Sequence, residues 1–320
     1  MATYKEINGT AVQNVAGDPS NPLEGEVWYN SSVGAFKVYQ ENAAGAWATG
    51  GNLNNGRYGL AAAGPQTAAL AFGANAFTET YNGTSWTEVN DLNTGRRALA
   101  GAGDTNTACL AFGGGDPETA LTETWNGTNW TAVNPLNTVR RYLGGCGTNT
   151  AALAFGGKVP TPPAGLANTE TWNGTNWTEV NDLNTSRNEL GSAGTNTAAL
   201  AFGGGPAYPL DDVQTESWNG TNWTEVNNLN SGRVQLGGAG IQTAALAFGG
   251  SPGGTLTESW NGSNWTSISA LNVGRRGLTG TGIQTAALAI GGEPPGPPSS
   301  PTATEEFNSP TLQVQTITTT

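Results

Sequence analysis

The apolar positions of this chain recur as one short block. The string TAALAFG begins at Thr67, appears as TACLAFG at Thr107, returns at Thr150, Thr197 and Thr243, and closes as TAALAIG at Thr285. Successive starts lie 40, 43, 47, 46 and 42 residues apart, a period typical of arrays of small supersecondary units. A continuous apolar run of this length, bounded by glycine, predicts a strand buried on both faces. A second string, TETWNGTNWTEVNDLN and its variants, opens at Thr78, Thr122, Thr169, Thr215 and Thr257. Its two halves predict a pair of strands, TETW and WTEV. Asn-Gly lies between them, and both residues accept positive φ at little cost, so the pair reads as a hairpin.

Each unit therefore predicts four strands: A, a short Gly/Ala run such as 98–103; B, the apolar block; C, TETW; and D, WTEV. Thr304 opens a degraded sixth copy of the hairpin, TEEFNSPTLQV, in which Phe307 and Leu312 keep the aromatic spacing. Trp47, Leu53 and Arg57 repeat the spacing of Trp86, Leu92 and Arg96, so a partial unit precedes the first full one. Residues 25–52 read as an incomplete seventh blade or as a strand lacing a ring shut. Six units with an N-terminal appendage is the preferred reading.

One arginine opens every unit, at Arg57, Arg96, Arg140, Arg187, Arg233 and Arg275, and one glutamate stands in strand C, at Glu79, Glu123, Glu170, Glu216 and Glu258. Recurrence in every copy argues for a structural role, an Arg–Glu or Arg–backbone contact locking neighbouring strands. The competing reading is a ring of arginines facing an anionic ligand on the axis. The second arginines, Arg97, Arg141 and Arg276, occur in three copies only and read as solvated.

An arginine, an apolar strand ending in Gly-Gly, Glu-x-aromatic and then a hairpin-closing Trp (Arg140, Gly156-Gly157, Glu170, Trp172, Trp177) resembles the kelch repeat. The resemblance covers roughly residues 53–317 and implies an all-β, six-bladed β-propeller, with small residues on the crowded inner strands. It implies little about function, because propellers carry many.

Residues 1–45 differ in character. GDPSNPLEGEVWYNSSVGAFKVY predicts two strands, 26–30 and 35–40, around a short turn. Gly-x-x-Trp-Tyr-Asn followed by Gly-x-Phe-x-Val-Tyr resembles modules of bacteriophage tail-fibre and virion proteins, and the Ala/Thr/Asn-rich repeats resemble kelch-like proteins of phages, especially marine ones. That resemblance implies a tether at 1–45 and a propeller at 46–320.

Composition narrows the chemistry. Net charge is −12 and only 11% of residues are charged, which argues against a nucleic-acid partner. Histidine is absent, and Cys109 and Cys146 form no CxxC pair, so no metal or other cofactor is expected. Both cysteines replace small residues of other copies and read as buried free thiols rather than a disulfide. Copper-oxidase relatives of the kelch fold need histidine ligands, and the Ser-x-Asp-x-Gly-x-Thr-Trp box of sialidase-like propellers does not occur. No enzymatic role is expected. The N-terminus MATYKEINGT does not read as a secretory signal, no apolar run has the length of a membrane span, and a soluble protein made in the cytosol is expected. Nine Asn-x-Ser/Thr sequons fall in the C–D hairpins, including Asn126, Asn129, Asn173 and Asn176; turn geometry accounts for most. Trp pairs such as Trp218 and Trp223 read as inter-blade packing rather than a sugar-stacking platform.

All the length variation lies in the B–C links, from 74–77 in the first unit to 158–168, 205–214 and 293–303 later, and these hold twelve of the 17 prolines. Irregular insertions on a repeat array commonly mark its binding face. Their least repetitive groups, Asp116, Glu118, Lys158, Tyr208, Asp211 and Asp212, are the candidate contacts. The expected role is a virion component, assembled in the host cytoplasm and multimeric there. Other virion proteins would contact the N-terminal segment, and a host-surface glycan or protein would contact the propeller. A decoration or collar component is the alternative, and a polysaccharide-active enzyme a distant third.

Overall fold

The structure is a computed structural model that describes residues 12–23, 25–41, 45–159, 165–205, 213–294, 302–309 and 312–317. Contacts divide the chain into two compact units: residues 45–308, and residues 1–44 together with 309–320.

The larger unit holds six four-stranded antiparallel sheets. Blade 3 shows the pattern: strand A Gly144–Gly147, B Ala152–Phe155, C Thr169–Trp172 and D Trp177–Val180. Blades 1, 2, 4 and 5 repeat it over residues 60–89, 100–133, 191–226 and 237–267. Blade 6 takes A, B and C from Thr279–Ile283, Ala286–Ile290 and Thr304–Asn308, but its strand D is Ala46–Thr49, with Trp47 opposite Phe307. The six A strands contact one another in a closed ring, the last against the first. The unit is a six-bladed β-propeller laced shut by a strand from the other end of the chain.

Strand B explains why the apolar block is so regular. Its two faces carry different sizes: Leu110 and Phe112 of blade 2 pack against Ala152 and Ala154 of blade 3. Leu153 and Phe155 of blade 3 in turn meet Ala199 and Ala201 of blade 4. The same large-on-small seam joins blade 6 to blade 1, where Leu288 and Ile290 meet Ala69 and Ala71. The core is thus six seams between blades, and period-2 alternation of large and small residues lets flat sheets stand face to face. Cys109 occupies one of these alanine positions, and both cysteines are buried free thiols. At the axis the strands approach too closely for side chains: a Cβ on Gly238 would lie 2.4 Å from the Ser192 carbonyl oxygen.

Each seam also carries polar pins. The strand-D tryptophan donates its indole N–H to the strand-C threonine of the preceding blade, as Trp177 does to Thr122 (3.1 Å) and Trp86 of blade 1 to Thr304 of blade 6 (3.0 Å). Trp218 and Trp223 are buried, and the strand-D tryptophans pack on the strand-B phenylalanine next door, Trp223 on Phe155 at 4.9 Å. The hairpin asparagines are engaged too: Asn173 Oδ1 accepts the N–H of Thr175 and Asn176, and Asn176 Oδ1 accepts an amide N–H from Asn134 of the neighbouring blade.

The arginine that opens each unit is buried and paired with the strand-C glutamate of its own blade: Arg57 with Glu79, Arg96 with Glu123, Arg140 with Glu170, Arg187 with Glu216, Arg233 with Glu258 and Arg275 with Glu305. In blade 3 Arg140 donates to Glu170 Oε1 (3.0 Å) and to the carbonyls of Asn168 (2.6 Å) and Gly156 (3.2 Å). Glu170 Oε2 accepts both the backbone and side-chain N–H of Asn137, the asparagine of the incoming D–A link. Burial holds the Arg140 guanidinium down to about 10, with Glu170 pulling the other way. None of these six guanidiniums lines the axial cavity, so the ring of arginines open to an axial anion does not form.

The smaller unit is one sheet in the order Gln13–Val15, Val27–Asn30, Ala35–Glu41, Leu312–Thr316, its first pair parallel. Trp28 is buried there, and both its indole N–H and the amide of Asn30 reach Asp18, whose carboxyl is held low chiefly by the Asn30 bond. Three sequence expectations change. The hairpin at 26–40 gains a strand on each side. Leu312 does not continue the sixth blade but pairs with Glu41, and Trp47 takes the place assigned to it. The propeller limit moves from residue 320 to 308. The physical reason is ring closure: a sixth sheet lacking its outer strand would leave Phe307 and the blade 5 seam uncovered, and Trp47 supplies what Leu312 cannot.

Candidate functional site

Each blade begins Arg-x-x-Leu. The arginine is locked to its glutamate and the leucine (Leu60, Leu99, Leu143, Leu190, Leu236, Leu278) is buried in a seam, so the two residues between are pinned at the mouth of the axis. The second of them takes positive φ in all six blades: Gly59 67°, Ala98 56°, Tyr142 55°, Glu189 60°, Gln235 56° and Gly277 63°. This conformation turns each backbone N–H toward the preceding blade. Ala98 N donates to Gly59 O, Tyr142 to Ala98, Glu189 to Tyr142, Gln235 to Glu189, Gly277 to Gln235 and Gly59 to Gly277, at 2.7 to 2.9 Å. Six backbone hydrogen bonds thus close a ring about the axis.

The side chains on this ring do not repeat. A cavity of about 350 Å³ opens inside it, lined among others by Tyr58, Arg97, Tyr142, Glu189, Gln235 and Arg276. Arg97 bonds Asp116 at 2.7 Å and the Tyr58 hydroxyl at 3.1 Å. Arg141 reaches Asp116 at 3.3 Å and Glu118 at 2.8 Å, and Arg276 reaches Glu293 at 3.3 Å. The Arg97 bond, then the Arg141 charge, holds the Asp116 carboxyl below the usual range, and burial pushes the Tyr142 phenol up. Lys158 lies over the Tyr142 ring, 4.8 Å from its centre, and its backbone exchanges two hydrogen bonds with Arg141.

Of the candidate contacts, Asp116, Glu118 and Lys158 thus gather around Arg97, Arg141 and Tyr142 on one side of the mouth. Tyr208, Asp211 and Asp212 lie outside the described residues. The second arginines, read as solvated, keep part of their surface open to solvent, Arg276 most and Arg141 least, and are also paired at this rim. Tyr58, Tyr142, Glu189 and Gln235 went unnoticed in the sequence, although a signal existed. Within the otherwise uniform D–A link, the two positions after the arginine read YG, RA, RY, NE, VQ and RG. At the other end of the axis a second cavity of about 340 Å³ is lined mainly by glycine and alanine. Among the described residues no group of three or more His, Cys, Asp or Glu could hold a metal ion, and no helix is long and apolar enough to cross a membrane.

No family model matches the chain, and no curated protein matches its sequence. Among solved structures, that of YjhT superposes with a TM-score of 0.67 over 83% of this chain and 99% of its own, at 12% identity. At that identity the likeness is one of fold, and it agrees with the closed ring of sheets: the chain is a β-propeller protein.

Proposed function

We propose that this chain is a kelch-type phage virion protein whose propeller serves, without catalysis, as a recognition head that engages its ligand at the axial mouth. One observation carries the reading. Blades 1 and 6 use glycine at the positive-φ position, where it is least strained, and blade 2 the small Ala98, while blades 3, 4 and 5 hold Tyr142, Glu189 and Gln235 there. A non-glycine residue in this conformation costs about 1–2 kcal/mol, and strain kept in some copies of a repeat and relieved in others points to side chains retained for use. Asp116 and Glu118 are both tied to arginines, which suits a preorganised contact surface better than general acid–base work. The virion assignment rests on the resemblance of residues 25–40 to tail-fibre modules, with the smaller unit as the tether to other virion proteins and a host-surface glycan or protein as the ligand.

Particles lacking the protein should assemble and fail to adsorb to host cells; particles that fail to assemble would instead favour a decoration or collar role. That second reading draws on the opposite face, where the repeated TNT and NGTN turns offer a uniform surface suited to an assembly interface. Exchanging links 158–168 and 205–214 for the short link of blade 1 should leave the melting temperature within a few degrees. Adsorption affinity should fall at least tenfold, about 1.4 kcal/mol.

A further inference from the structure

The recognition reading leaves open what the mouth recognises, and the pairing of its charges decides between ligand classes. We infer, resting on that reading, that the axial cavity takes an uncharged, hydroxyl-rich group, the end of a neutral glycan chain, and discriminates against anions. Both cations that line the cavity already carry a carboxylate of their own: Arg97 has Asp116 and Arg276 has Glu293. An anionic ligand would have to displace those carboxylates or sit beside them, and like charges in a recessed site repel.

The lining groups whose polar atoms bond no other side chain among the described residues are of another kind. They are the carboxylate of Glu189, the amide of Gln235 and the phenol of Tyr142, on three consecutive blades. A carboxylate only accepts hydrogen bonds, an amide donates and accepts, and a phenol does both. Vicinal hydroxyls of a sugar ring satisfy that set, because each hydroxyl can donate to Glu189 while accepting from its neighbours. The three groups hold one negative charge and no positive one, Lys158 being held over the Tyr142 ring outside the cavity lining, so a carboxylated sugar would meet repulsion from Glu189. A cavity of about 350 Å³ falls within the range of small-ligand sites and has room for a terminal sugar unit. The backbone ring holds the three residues at fixed spacing, so the ordering cost on binding is confined to their side chains.

The test uses the full chain against immobilised oligosaccharides ending in neutral hexoses or N-acetylhexosamines, their uronic-acid counterparts, and amino sugars with a free amine. Neutral termini are expected to bind at least tenfold better than their acidic counterparts, with little change between about 0.05 and 0.5 M salt, as befits a contact without net charge pairing. Glu189→Gln and Gln235→Ala should each lower that binding at least tenfold with the melting temperature unchanged. Preference for the acidic or the amine-bearing probes, or binding that collapses with salt, overturns the inference. So does binding to none of the probes while the protein still adsorbs to host cells, an outcome that spares the recognition reading. If particles lacking the protein adsorb normally, the recognition reading itself fails.

Discussion

Trp47 donates its indole N–H to Thr257 Oγ1 at 3.1 Å across 210 residues of chain, and the bond is chemically the same as the one between Trp177 and Thr122. Trp47 also packs on Phe248 at 4.9 Å, the contact that Trp223 makes with Phe155. The strand Ala46–Thr49, first of the propeller along the chain, thus performs the work of its last. Trp47→Ala is expected to cost about 3–5 kcal/mol, read by denaturant unfolding. A chain of residues 45–308 should fold cooperatively, and one starting at 53 should not. Equal stability of the two would break the assignment of the closing strand.

Strand B is where a charge cannot be tolerated. Leu200 is fully buried in the seam with blade 5, so Leu200→Asp places an unpaired carboxylate in an apolar environment at a cost of several kcal/mol. The expected result is insoluble protein. Soluble Leu200→Asp protein with a sharp thermal transition would contradict the seam.

Two classes of ion pair should respond very differently. Glu216 and Arg187 are both fully buried, and Glu216→Ala leaves a buried guanidinium uncompensated, a loss of about 3–5 kcal/mol. Glu293 and Arg276 are exposed, so Glu293→Ala should cost under about 1 kcal/mol. Urea titrations of the two variants would show whether burial sets the order.

Strain at the axial ring should separate stability from binding. Glu189→Gly and Gln235→Gly keep the backbone hydrogen bonds and relieve the positive-φ penalty, partly offset by the added freedom of the unfolded chain, so stability is expected to rise by up to about 1 kcal/mol while ligand binding falls. A loss of stability in both would mean that these side chains serve the fold.

Burial pushes the thiols of Cys109 and Cys146 up to about 12. Native protein should therefore show no fast thiol reaction at neutral pH and two thiols after denaturation. In the unfolded chain each ionises near about 8.5, so the unfolded state loses protons that the native state keeps. Stability is full below that pH and falls as pH rises from there toward 12, by at most about 1.4 kcal/mol per thiol and pH unit. Cys109→Ala/Cys146→Ala protein should lose that part of the alkaline slope.

The repeat carried the architecture in plain view. Six apolar blocks, six arginines and five Asn-Gly hairpins state local instructions, and strand, turn and buried pair all follow from residues within one period. The size alternation of Ala-Leu-Ala-Phe was equally present in the string, since it encodes which face meets which neighbour. Three decisions belonged to tertiary structure alone. Whether Leu312 or Trp47 completes blade 6 depends on closing a ring, a constraint between chain ends that no local pattern expresses. The partition of residues 309–320 away from the propeller follows from that choice. The axial mouth was the third: residues such as Tyr142, Glu189 and Gln235 lie over 40 residues apart in sequence, and each looks like drift within its own copy. Only the closed ring of backbone hydrogen bonds, which needs the same positive-φ conformation from every blade, places them around one cavity and makes their differences a single surface.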